Sequence, residues 1–181
     1  MRVIAGSARG AKLVCPDGLA VRPTHDRVKE AVFSMLTGHL ASASVLDLFA
    51  GTGALGIEAL SRGAEKAVFV DVSEHSLKAV SANLSHTRLL DSSRLVKSDY
   101  LSFLSSTSES FDLIFLDPPY QGEFLAKALE EIARQKLLNP GGFIYCETEG
   151  EPPCQAESLF TVHRDKKYGR ARVLLLKELS I

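Results

Sequence analysis

Residues Val45-Leu46-Asp47-Leu48-Phe49-Ala50 form an apolar run that passes directly into Gly51-Thr52-Gly53-Ala54-Leu55-Gly56. A short apolar run reads as a buried strand, the glycines as a tight turn, and the residues after them as the start of a helix. Strand, turn and helix in that order open an α/β sheet, whose crossover helices cover the strands they leave. The rest of the chain repeats the alternation. Strands are expected near 45–49, 67–71, 94–97, 111–116 and 142–147, and helices near 53–62, 74–86, 100–105 and 122–137. Gly63 is expected to cap the end of the first of these helices and Ser73 the start of the second. Asn139-Pro140-Gly141-Gly142 reads as a turn before the fifth strand. Two further runs, 159–162 and 172–176, predict an antiparallel hairpin with Lys166 to Arg170 at its turn. The expected fold class is α/β: a mostly parallel seven-stranded sheet closed by that hairpin.

Before this sheet, Arg2-Val3-Ile4 and Lys12-Leu13-Val14 flank a span with Gly6 and Gly10, which suggests a small hairpin or loop carrying Arg9 at its tip. Val28, Ala31, Val32, Met35 and Leu36 then fall at helical spacing, so 26–36 reads as an amphipathic helix. The chain divides into an extension over 1–40 and a main domain over 41–181. Its 181 residues, 45% of them hydrophobic, suffice for one domain with a sizeable core. The amino end has no long apolar stretch, so neither a signal peptide nor a membrane span is expected, and the location expected is the cytoplasm. Cys15, Cys146 and Cys154 are odd in number and scattered, as are the five histidines, which predicts reduced thiols and no metal site.

Asp47, Asp71, Asp99 and Asp117 each end an apolar segment. In an open α/β sheet ligands bind beyond the carboxyl ends of the strands, so four carboxylates converge on one cleft. Gly51, Gly53 and Gly56, with Asp71 ending the next strand, also match the dinucleotide fingerprint, and an NAD-dependent dehydrogenase is one reading. Asp47 precedes the glycines, a position that suits a ligand amino group more than two phosphates. Asp99 is placed to accept from an adenine amino group, and Asp71 from ribose hydroxyls. An amine, a ribose and an adenine together describe S-adenosylmethionine, held by Asp47, Ala50, Gly51, Gly53, Asp71 and Asp99 with its carboxylate at a helix N-terminus. Taken singly, each acid also fits a helix cap.

Asp117-Pro118-Pro119-Tyr120 presents a carboxylate, a backbone carbonyl and an aromatic face at a strand end. Pro119 disfavours helical backbone at Pro118 and holds the turn extended. A planar amine is a poor nucleophile because its lone pair is delocalised. Accepting both its hydrogens at Asp117 and the Pro118 oxygen would localise that pair, while Tyr120 stacks on the ring.

Residues 1–29 contain six basic and two acidic side chains, and 163–172 contain Arg164, Lys166, Lys167, Arg170 and Arg172 against Asp165 alone. Each end therefore carries +4 within a chain of net charge −1, and the ends are the candidates for a nucleic-acid partner.

These motifs carry a resemblance. Met1 to Gly6, Arg22-Pro23-Thr24 with Asp26 to Phe33, the run Leu46 to Leu60, Asp117 to Tyr120, and Lys167-Tyr168-Gly169 together resemble the bacterial 16S ribosomal RNA guanine-N2 methyltransferases, a branch of the Rossmann-like class I S-adenosylmethionine-dependent enzymes. His25 and Ala171 depart from threonines usual in that family. The resemblance implies methyl transfer to a guanine N2 with Asp117, Pro118 and Tyr120 catalytic. It also implies RNA contacts at Arg9, Lys12, Arg22, Arg27, Lys167 and Arg170, and a monomer acting on 16S RNA in a partly or fully assembled small subunit. Methylation of adenine N6 in DNA, which uses a similar tetrapeptide, and non-catalytic RNA binding are the other readings.

Overall fold

The structure, a computed structural model, describes residues 1–15, 24–119 and 123–179, with side chains in the second span from residue 28 onward. Seven strands form one sheet: β1 (Ser44–Asp47), β2 (Lys66–Asp71), β3 (Ser93–Lys97), β4 (Phe111–Leu116), β5 (Leu138–Glu149), β6 (Phe160–Tyr168) and β7 (Ala171–Glu178). Their order is β3-β2-β1-β4-β5-β7-β6. The first five run parallel, and β7 lies antiparallel between β5 and β6. The connection reverses direction between β1 and β4, so the crevice at their carboxyl ends is the switch point of the sheet.

Period-two alternation sorts the side chains onto two faces. Val45, Ala67, Phe69, Leu113, Phe115, Phe143 and Tyr145 pack under α1 (Thr24–Met35), α2 (Ala54–Ser61) and α3 (Glu74–Thr87). Leu46, Val68, Ile114, Leu116 and Ile144 pack under α4 (Tyr100–Ser106), α5 (Phe124–Gln135) and the short α6 (Gln155–Ser158). Ser73 caps α3, accepting from the Ser76 amide at 3.2 Å. Gly63 sits one residue beyond the cap position of α2, which Arg62 occupies.

Three expectations are corrected. β1 ends at Asp47, and Leu48 and Phe49 lead into the glycine loop. β5 starts at Leu138, so Asn139 to Gly142 is an irregularity inside the strand and not a turn before it. The β6–β7 hairpin keeps its ladder to the Tyr168–Ala171 pair, leaving only Gly169 and Arg170 at the turn. Lys166 and Lys167 are therefore strand residues. α6 had no anticipated counterpart.

The amino-terminal segment is bound into the same core. A single antiparallel bridge joins Arg2 and Lys12, and Val3, Ala8 and Leu13 are buried beside α1 and α2. Fully buried Glu58 on α2 accepts from the amides of Ile4 at 2.8 Å and Ala5 at 3.0 Å, and pairs with Lys29 at 3.2 Å and Arg62 at 2.7 Å. Four donors around one carboxylate offset its desolvation, and removing them would leave a buried charge uncompensated. Gly6 crosses α2 so closely that a Cβ there would lie 1.7 Å from the Ser61 carbonyl oxygen. On α3, Asn83 accepts from the Val14 amide at 2.7 Å and donates to the carbonyls of Val14 at 3.0 Å and Thr52 at 2.9 Å. One side chain thus ties the segment to the glycine loop. No helix among the described residues is long and apolar enough to cross a membrane.

Candidate active site

The strand ends at the switch point and the loops beyond them enclose a cleft of about 670 Å³, a size suited to a small ligand. Its floor is the loop between β1 and α2. The Ala50 amide bonds the Val70 carbonyl at 3.0 Å, which holds the loop over β2. Gly53 takes the left-handed conformation at the N-cap of α2 and supplies no side-chain acceptor. The first amides of the helix, at Ala54 and Leu55, adjoin the cleft wall where an anion is favoured. Gly56 is required by packing, since a Cβ there would sit 2.3 Å from the Phe69 ring.

Asp47, Ala50, Gly51, Asp71, Asp99, Asp117 and Pro118 all line this cleft, so residues far apart in sequence are brought together. Gly53 lies beneath the loop, buried and within reach of Val80 and Ile57. Asp47, Asp71 and Asp99 also make structural bonds. Asp47 is 2% exposed and accepts from the Gly56 amide at 3.0 Å. Burial pushes its carboxyl up to about 7, against the Gly56 hydrogen bond and helped by the nearby Asp71. Asp71 accepts from the amides of Gly51 at 2.9 Å and Ser73 at 2.8 Å, so it braces the loop from the other side. Asp99 is the exposed N-cap of α4, accepting from the Ser102 amide at 3.0 Å, and the Ser102 hydroxyl, with that amide second, holds its carboxyl below the usual range. Pro118 is buried and Asp117 half-buried. Tyr120 and Arg22 lie outside the described residues, as does the side chain of Arg27.

Several lining residues had not been singled out. Val72 follows Asp71 and is 70% exposed, a bare apolar surface beside a carboxylate. Phe49, Tyr100 and Phe124 form an aromatic group at the wall, with ring centroids 5.2 to 6.3 Å apart. On β5, the buried Tyr145 hydroxyl donates to the Glu147 carboxylate at 2.7 Å, and both side chains line the cleft. Glu147 follows the apolar run Phe143-Ile144-Tyr145-Cys146 just as the four aspartates follow theirs, and the same sequence signal could have found it. Lys29 also lines the cleft, held between Glu58 and the Arg2 carbonyl at 2.6 Å.

The basic candidates lie elsewhere. Arg9, Lys12, Lys167 and Arg170 are exposed, and none of the four lines the cleft. Lys167 approaches Glu151 at 3.8 Å, whereas Arg172 is held by Asp165 at 2.6 Å and Glu151 at 2.5 Å. Exposed pairs of this kind are worth about 0–1 kcal/mol, so a phosphate can compete for Lys167.

The family model described as "Conserved hypothetical protein 95" matches residues 1–177. Among curated relatives, the chain is 37% identical to YlbH of Bacillus subtilis, named a candidate rRNA methyltransferase, over 98% of this chain and 99% of that one. It is 35% identical to ribosomal RNA small subunit methyltransferase D of Escherichia coli K12, over 94% of this chain and 86% of the other. The solved structure of the Escherichia coli candidate methyltransferase yhhF superposes with a TM-score of 0.87 at 34% identity, covering 98% and 97% of the two chains. With glycine loop, strand-end acids and Asp-Pro-Pro turn around one cleft, and matches that run nearly end to end, the chain belongs to the small-subunit ribosomal RNA methyltransferase D family.

Proposed function

We propose that this protein transfers a methyl group from S-adenosylmethionine to the exocyclic N2 of a guanine in 16S ribosomal RNA. The observation that carries the reading is that the Asp117-Pro118-Pro119 turn opens into the same acid-lined cleft as the glycine loop. The donor set fits a cationic ligand. Asp47, Asp71, Asp99, Asp117 and Glu147 face the cleft with Lys29, whose ammonium pairs with Glu58. That field opposes the two phosphates of a nicotinamide cofactor. Asp47 and Asp71 would face the amino group and the ribose, the Ala54 and Leu55 amides the carboxylate, and Val72 the adenine ring.

Bound there, S-adenosylmethionine supplies an electrophilic methyl group on a positively charged sulfur. The protein's part is mainly to align and desolvate the nucleophile, which can remove several kcal/mol of barrier. Asp117 and the Pro118 carbonyl accept the two amine hydrogens and localise the lone pair, and Tyr120 stacks on the base. Once methylated, the amine would be acidic, and Asp117 is placed to take its proton. A strong base is unnecessary. The base must leave its stack to reach this depth, with Arg9, Lys12, Arg22, Arg27, Lys167 and Arg170 holding phosphates around it. The protein acts as a monomer in the cytoplasm, on RNA within a partly or fully assembled small subunit.

The test uses small subunits from cells lacking the protein, labelled donor, and mapping of the product. Asp117→Ala should bind S-adenosylmethionine normally while single-turnover transfer falls roughly a hundred-fold or more, about 2.7 kcal/mol of transition-state stabilisation. Asp117→Asn, which still accepts one N–H, should keep partial activity. A folded Asp117→Ala enzyme that works at the original rate would overturn the assignment.

A further inference from the structure

We infer that Glu147 is the residue that selects guanine, by accepting the ring N1–H next to the amine that is methylated. The inference rests on the proposed reaction and adds the element that tells guanine from other purines bearing an amine. Three observations place it. Glu147 lines the cleft together with Asp117 and Pro118. The register of β4 and β5 pairs Phe115 with Tyr145 and Leu116 with Cys146, so Asp117 continues level with Glu147. The Phe115 and Tyr145 rings touch, with centroids 5.8 Å apart, which puts both on one face of the sheet. Glu147, two residues further along β5, returns to that face, and Asp117, the first residue past the end of β4, continues the same register beside it, about 4.8 Å away at the backbone for strand-like spacing.

That spacing matches the task. Guanine presents its N2 amine and its N1–H side by side, three donor hydrogens along one edge. If Asp117 and the Pro118 carbonyl take the two amine hydrogens, the next donor along the edge falls on the adjacent strand. A carboxylate accepts at about four lone-pair sites, and the Tyr145 hydroxyl occupies one of them at 2.7 Å. That bond, together with the central position of β5 between β4 and β7, holds the Glu147 side chain in one orientation. Burial sharpens the choice, because Glu147 is only 5% exposed and water has little room to mediate a mismatch. Adenine, and 2-aminopurine in the guanine orientation, carry a lone pair where guanine has N1–H. Opposed to the carboxylate, that lone pair is repelled.

The test compares the mapped target RNA carrying guanine with the same RNA carrying 2-aminopurine at the target, which keeps the 2-amino acceptor and lacks N1–H. Wild-type kcat/KM should favour guanine by about a hundred-fold or more, as sites built to bond a substrate N–H reject analogues without one. Glu147→Gln keeps shape and an oxygen for Tyr145, and its amide can donate to the bare N1. The preference should therefore shrink at least roughly ten-fold, partly through faster transfer to 2-aminopurine. Tyr145→Phe, which removes the bond that orients the carboxylate, should narrow the ratio in the same direction. A purely structural Glu147 would slow both substrates equally and leave the ratio unchanged, which overturns the inference. So does a wild-type enzyme that methylates the two RNAs equally well, and that result needs no variant to fold. Failure to methylate guanine at all would instead count against the reaction itself.

Discussion

Asp47→Asn tests both the electrostatics of the cleft and the role of its most buried acid. In the folded protein, burial raises the Asp47 carboxyl from 3.8 to about 7. Between those values the folded chain keeps a proton that the unfolded chain has released, so stability falls as pH rises through the window and is flat above about 7. Some three pKa units at 1.36 kcal/mol each bound the loss at about 4 kcal/mol. Asparagine has nearly the same shape, and its oxygen can accept the Gly56 amide, yet it does not titrate. The stability difference between variant and wild type should be near zero at pH 4. It should grow in favour of the variant by up to about 4 kcal/mol at pH 8, or roughly 8 °C or more in Tm for a chain of this size. Carboxyls held low by partners, such as Glu74, Glu131 and Asp165, contribute stability above their unfolded pKa and lose it in acid. They are common to both proteins and cancel in the difference. Denaturant titrations at several pH values supply the measurement. A difference that does not change with pH would refute the reasoning. If Asp47 also faces the ligand ammonium, calorimetry should show the more stable variant binding S-adenosylmethionine about ten- to a hundred-fold more weakly.

Asp71→Ala should weaken S-adenosylmethionine by about 1.5–3 kcal/mol, measured by calorimetry on the folded variant; Asp71→Asn, which keeps one acceptor for the Gly51 amide, should lose less, and equal affinity in all three proteins would remove Asp71 from the site. Lys167→Ala combined with Arg170→Ala should flatten the salt dependence of RNA binding by about two phosphate contacts, with donor affinity unchanged. An unaltered salt slope would return both residues to ordinary solvated surface.

The alternation of strand and helix was legible because apolar runs and glycine turns are local signals, and the convergence of Asp47, Asp71, Asp99 and Asp117 followed from a topological rule. Three things were not local. Asn139 to Gly142 looks like a turn in sequence, yet the strand continues through it. Asn139 donates to Asp112 at 2.9 Å, and Gly142 passes so near the Asp112 carbonyl that a Cβ would lie 2.7 Å away. Lys166 and Lys167 look like turn residues because they are charged, but β6 is the edge of the sheet, where charged side chains face solvent and discourage pairing with another chain. The acids hid a double use. A carboxylate at a strand end suits a ligand, a helix cap or a loop brace equally well, and only the bonds to Gly51, Gly56, Ser73 and Ser102 show the bracing and capping.

The distribution of charge constrains how a nucleic acid can use this surface. Five acidic side chains line the cleft, of which Asp47 keeps its proton up to about pH 7, while Arg9, Lys12, Lys167 and Arg170 stand exposed outside it. A phosphate backbone drawn to the exposed cations is repelled from the cleft, and a cationic donor is drawn in. The one part of an RNA that can enter is an uncharged base with its sugar and phosphates left at the rim, which is the geometry of an unstacked nucleotide. The amino-terminal segment stands at the boundary of the two fields. Its Arg9 and Lys12 face outward, its Met1 lines the cleft, and Glu58 and Asn83 fix it to α2, α3 and the glycine loop. On the proposed reading, the residues that grip the RNA are therefore held at a set distance from those that grip the donor, and base extrusion is what that distance requires.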